Sequence, residues 1–118
     1  MKKGNVVAEK SFKFALRIVN LNRHLNEKKK EFVLSKQILR SGTSIGANIE
    51  EALGGRTKKD FINIISIAYK ETRETKYWLR LLHESNYIEE KLFDSIFNDC
   101  DELSKILSSI IITSKERS

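Results

Sequence analysis

Apolar residues recur along this chain at steps of three and four, the spacing that lines up one face of an α-helix. Phe14, Ile18, Leu21 and Leu25 form the first stripe, and Phe12, Leu16 and Val19 run beside it as a second. Two adjacent stripes predict a wide apolar face, so the first helix, expected over residues 6–27 with Asn5 as N-cap, should touch two neighbours. A second helix over 31–53 carries Leu34, Ile38, Ile45, Ile49 and Ala52. A third over 58–85 holds a seven-residue repeat through Phe61, Ile65, Ala68, Thr72, Thr75, Leu79 and Leu82, the pattern of near-parallel bundle packing. A fourth over 89–112 carries Leu92, Ile96, Leu103, Ile106 and Ile110, widened by Phe93, Phe97, Cys100 and Leu107. Its end, Ile110-Ile111-Ile112, is apolar all round and is expected to meet another chain, with residues 114–118 frayed. Short connections join antiparallel neighbours. The prediction is an all-α, antiparallel up-down four-helix bundle, one domain over residues 1–118.

The middle of the second helix is unusual. Arg40-Ser41-Gly42-Thr43-Ser44-Ile45-Gly46-Ala47-Asn48-Ile49-Glu50-Glu51-Ala52 is small and polar where helices are usually bulky. Gly42, Thr43 and Ser44 are poor helix formers and leave a loop open. The apolar stripe keeps its phase through them, which argues for one rod. Gly42 and Gly46 lie one above the other and allow a neighbouring backbone close. The same spacing occurs in membrane helix pairs, but no run of about 20 apolar residues surrounds it.

Beside that stripe runs a polar line, Gln37, Ser41, Ser44, Asn48 and Glu51. Short neutral side chains at helical spacing suggest a seam where a partner helix supplies hydrogen bonds; an ordinary surface is the alternative. Glu71 stands between Ile64 and Trp78 on the third helix. It is either partly buried and paired with Arg40 or Asn48, or an exposed carboxylate beside the core.

The boundaries carry their own signals. Gly54-Gly55 is expected to cap the second helix in the left-handed conformation. Thr57 and Asp60 resemble a capping box, and Asn86 can take positive φ in the turn before the fourth helix. Arg56, Lys58 and Lys59 gather at a helix N-terminus, whose free N–H groups suit an anion, although no phosphate-loop motif is present. Arg73, Lys76 and Arg80 follow Tyr69 at steps of four, three and four. They could track a nucleic-acid backbone, or form a solvated face partnered by Glu74 and Glu84. Lys28-Lys29-Lys30 reads as a solvated turn or a phosphate contact.

Composition narrows the picture. The chain has 118 residues, no proline and a net charge of +6. The charge is uneven: residues 1–60 carry +8 and residues 61–118 carry −2, which suits an anionic partner or association between basic and acidic regions. The N-terminus lacks the apolar run of a signal peptide, and the lone Cys100 forms no intrachain disulfide, so a cytoplasmic protein is expected. His24 and His83 are solitary, with none of the Glu-x-x-His pairs of di-iron bundles and no structural zinc set. No nucleophile elbow or dinucleotide fingerprint occurs. Neither enzyme activity, nor a cofactor, nor a metal is expected.

Gln37 and the Arg40–Ala52 stretch, followed by Asp60-Phe61 and then Lys70-Glu71, Glu74-Thr75 and Tyr77-Trp78-Leu79, closely resemble the bacterial 23S rRNA-intervening-sequence proteins, also called the S23 ribosomal protein family. The resemblance spans nearly the whole chain. It implies an up-down four-helix bundle assembled as a ring, a homopentamer, with an RNA-binding role. The family is also similar to the accessory protein of diversity-generating retroelements, a basic pentamer that holds nucleic acid and a reverse transcriptase. The matched residues come with no catalytic role.

Two functions are therefore expected in competition. One is a non-enzymatic homo-oligomeric bundle that binds RNA or DNA through Arg56, Lys58, Lys59, Arg73, Lys76 and Arg80, with Gln37, Arg40, Ser41, Ser44, Asn48 and Glu71 as a polar seam or interface. The other is a protein–protein scaffold whose charged faces serve subunit or partner contacts. No membrane partner is expected. Small-ligand chemistry in the seam ranks behind both.

Overall fold

The computed structural model describes residues 3–55 and 57–117, with side chains from Val6 onward. Four helices follow one another: α1 (Lys3–Glu27), α2 (Leu34–Leu53), α3 (Lys58–Glu84) and α4 (Glu90–Glu116). They form an antiparallel up-down bundle of 47 × 23 × 21 Å. Each helix packs chiefly on its neighbours in sequence, and α1 meets α4 most lightly.

The foreseen stripes make the core. Phe14, Ile18 and Leu25 of α1, Ile38, Ile45 and Ile49 of α2, Ile65, Leu79 and Leu82 of α3, and Ile96, Leu103 and Leu107 of α4 are essentially inaccessible to water. Cys100 is buried among them and bonds the Thr72 carbonyl oxygen at 3.4 Å. Burial pushes its thiol up to about 12.

The small-residue stretch is one helix without a break. Gly42 and Gly46 face α1. An added Cβ at Gly46 would lie 3.4 Å from the Ser11 carbonyl oxygen, so α1 and α2 approach closely there. Ser41, fully buried, turns the other way and shares a hydrogen bond of 3.0 Å with the Thr75 hydroxyl of α3. Small residues thus serve both neighbours of α2 at once.

Several boundaries differ from expectation. The first helix begins at Lys3, so Asn5 lies inside it and is not its cap. The second begins at Leu34, not residue 31. Glu31 acts instead as its cap: the carboxylate accepts from the backbone N–H groups of Val33, Leu34 and Ser35 at 3.1, 3.0 and 2.7 Å. Residues held in this way satisfy the free donors of the first turn from outside the helix. Gly54 ends α2 at φ −90°, and no described glycine has positive φ. The left-handed positions among the described residues are Lys30 (φ 55°) and, as foreseen, Asn86 (φ 68°). Thr57 caps α3 by accepting from the Asp60 N–H at 3.0 Å. The fourth helix continues to Glu116 where fraying was expected from residue 114.

One stripe finds no cover. Phe12, Leu16 and Val19 were expected against a second neighbour, yet they are 65%, 51% and 36% exposed. A four-helix bundle gives α1 only two flanks, and both are filled by its first stripe. Ile112 at the far end of α4 is also exposed, whereas Ile110 is buried.

Candidate nucleic-acid interface

The residues proposed from sequence fall into three places. Lys58 and Lys59 are exposed on the first turn of α3; Arg56 lies outside the described residues. Arg80 is 22 positions further along the same helix, about 30 Å at 1.5 Å per residue. The basic residues are therefore not one patch. They mark the start of α3 and the outer face of its second half.

On that outer face the row Arg73, Lys76, Arg80 divides. Lys76 turns toward α4 and holds Asp101 at 2.7 Å, with its ammonium 5.7 Å from the centre of the Phe97 ring. Asp101 also takes Lys105 at 3.0 Å. The hydrogen bond from Lys76, then that from Lys105, keeps the Asp101 carboxyl below the usual range. Lys76 is thus a bridge within the bundle rather than a free surface cation. Arg73 and Arg80 are exposed, and neither forms an ion pair among the described residues; Lys70 shares this state. Neither Glu74 nor Glu84 partners them, because Glu74 is engaged by Arg40 and Glu84 lies 3.8 Å from His83.

Tyr69, expected to head the row, packs against the core. The aromatic on the exposed face is Tyr77, 55% accessible. It lies four residues after Arg73 and three before Arg80, so the two guanidiniums flank it on neighbouring turns. That spacing was available in the sequence. Lys76 and Tyr77 both fit between Arg73 and Arg80 at steps of three and four, and only the position of α4 decides which is covered.

Behind Tyr77 lies a polar web joining α2 to α3. Arg40 reaches across to Glu74 and lies 3.6 Å from Glu71. The Trp78 indole N–H donates to Glu74 at 3.0 Å. That indole bond first, with the Arg40 contact, lowers the Glu74 carboxyl, and the Glu74 bond raises the Arg40 guanidinium. The Trp78 ring in turn meets Tyr77 edge-on, centroids 5.1 Å apart at 73°. Glu71 is mostly covered, and its Oε1 has no hydrogen-bond partner.

Of the expected polar line, Ser41 bonds across to α3 and its neighbours do not. Ser44 Oγ donates to the Arg40 carbonyl at 2.6 Å and Asn48 Nδ2 to the Ser44 carbonyl at 2.8 Å, so both turn back on their own helix. Asn48 therefore does not pair with Glu71. Gln37 is half-buried and Glu51 exposed.

The geometry is that of an all-helical bundle in which polar bonds tie α2 to α3 and α3 to α4, with Arg73, Tyr77 and Arg80 exposed on α3. Among the described residues no helix is long and apolar enough to cross a membrane. The chain belongs to the 23S rRNA-intervening sequence protein family, whose sequence profile matches residues 3–109. It is similar to the crystal structure of a protein with unknown function from the S23 ribosomal protein family of Bacteroides thetaiotaomicron, with 56% identity and a TM-score of 0.92 over 93% of this chain and 98% of that one. No curated protein matches it.

Proposed function

We propose that this chain is a non-enzymatic, homo-oligomeric bundle, a pentamer acting in the cytoplasm, that binds RNA or DNA through basic surfaces. The observation that carries this reading is the division of cations on α3. Lys76 is consumed by the bundle, whereas Lys70, Arg73 and Arg80 are exposed and form no ion pair among the described residues. Lys58 and Lys59 add a second basic point at the helix start. Ring assembly would repeat these modest patches and turn them into a multivalent site. The buried polar groups support a structural rather than catalytic interior, since Ser41, Thr75 and Cys100 are all bonded between or within helices. Anisotropy of labelled RNA and DNA, titrated at several salt concentrations, tests it. Binding that weakens steeply as salt rises is expected. No binding at low salt, or binding indifferent to salt, overturns it.

The second reading, a protein–protein scaffold, is favoured by the uncovered stripe Phe12, Leu16 and Val19. A row of large apolar side chains in water is the usual mark of a protein contact. The two readings meet if this stripe joins subunits while α3 faces nucleic acid.

A further inference from the structure

We propose that the Tyr77 face of α3 takes single-stranded nucleic acid, with one unpaired base stacked on the Tyr77 ring and neighbouring phosphates held by Arg73 and Arg80. The inference rests on the nucleic-acid reading above and narrows it to a strand type and a contact.

Three observations converge on this face. Tyr77 is a large aromatic that remains more than half exposed, although every turn of α3 has a buried side available. It is not loose: Trp78 abuts it edge-on at 5.1 Å, and Trp78 is itself fixed by its 3.0 Å bond to Glu74, which Arg40 clamps from α2. The nearest cations on the same face, Arg73 and Arg80, are exposed and form no ion pair among the described residues.

A braced ring between two free guanidiniums suits a strand rather than a duplex. In a duplex the base faces are covered by their own neighbours, and only the backbone and groove edges are offered. An unpaired base presents its face and can lie on an aromatic, while the flanking phosphates take the cations. Arg73 and Arg80 are seven residues apart, about 10 Å along the helix, and their long arms can reach phosphates on either side of a stacked base. Stacking is tolerant of base identity, so the face should select strandedness more than sequence.

Trp78 supplies the reporter, since it is the only tryptophan of the chain and touches Tyr77. The experiment titrates the whole protein with a single-stranded oligouridylate and with an RNA duplex of equal length, following Trp78 fluorescence and anisotropy of labelled RNA. Light scattering is recorded on each variant. Tyr77→Leu is expected to weaken single-strand binding roughly tenfold and leave duplex binding unchanged, whereas Tyr77→Phe, which keeps the ring, binds as the parent does. The combined Arg73→Gln and Arg80→Gln variant is expected to flatten the salt dependence for both nucleic acids. Equal affinity for strand and duplex, or an unaffected Tyr77→Leu variant, overturns the stacking proposal while nucleic-acid binding stands. A change of particle mass in Tyr77→Leu assigns the ring to a subunit contact and likewise overturns it. Failure of the parent protein to bind either RNA at low salt overturns the nucleic-acid reading itself.

Discussion

A methyl group placed on Gly42 would sit 2.8 Å from Cγ1 and 2.9 Å from Cγ2 of Ile18. Both atoms hang directly from Cβ of a β-branched, fully buried side chain, so they cannot swing aside cheaply. Alanine is the better helix former by about 1 kcal/mol, yet Gly42→Ala is expected to destabilise the bundle by about 1–3 kcal/mol through overpacking. Gly46→Ala meets Ser11 at 3.3 Å or beyond and should cost much less. Urea denaturation of the two variants checks the order. In a cycle with Ile18→Ala, the double variant should be less damaged than the two single losses added together.

Glu31 makes stability depend on pH. Burial pushes its carboxyl upward, but the backbone bonds from Leu34, Ser35 and Val33 outweigh this and leave it below the ordinary value of 4.5. A lowered folded-state value means the ionised form stabilises the fold. That contribution is complete above pH 4.5 and disappears as pH falls through the folded value. Glu31→Gln should therefore cost about 1–2 kcal/mol at neutral pH, and the gap to the parent should close in acid. Melts at pH 7 and at about pH 3 separate this from a packing defect, whose cost would persist.

Lys76 and Arg80 should respond differently to the same change. Lys76→Gln removes the bond to Asp101 and the contact with Phe97, and a loss of about 1 kcal/mol is expected. Arg80→Gln removes no hydrogen bond or ion pair among the described residues and should leave the stability within about 0.5 kcal/mol of the parent. Circular dichroism melts of both variants decide it. Equal losses would mean that Arg80 also has a partner.

Leu16→Lys places a charge in the middle of the uncovered stripe on α1. Since Leu16 is 51% exposed, the helix content should not change. If copies of the chain meet through this face, the particle mass in light scattering should fall. An unchanged mass would exclude this face as a contact between copies.

Much of the architecture was legible because apolar periodicity depends only on which side of a helix faces inward. The rod through Gly42 could be read for that reason, and the Thr57–Asp60 cap and the turn at Asn86 from the chemistry of their own side chains. Helix ends were less legible. The stretch after Lys30 has helical composition, but Glu31 uses its side chain as a cap and leaves Phe32 and Val33 outside. The candidate site was read only in part. Periodicity placed Arg73, Lys76 and Arg80 on one side of α3, but it could not show that Asp101, from a helix 25 residues on, would claim Lys76. Nor could it show that Ser44 and Asn48 would bond backward along α2 while Ser41 bonded across. Those outcomes depend on the rotation of neighbouring helices, which no single stripe encodes.

The order in which the helices pack bears on how the chain reaches its native state. Each helix finds its main partner in a helix adjacent to it in sequence, across connections of only a few residues. Such local topology folds rapidly, because little loop entropy is lost before contacts form. With no proline in the chain, the slow isomerisation that delays many proteins has no bond on which to act. A chain emerging from the ribosome can pair α1 with α2 while α4 is still being synthesised, and the closing of α4 over α1, the lightest of the contacts, would come last.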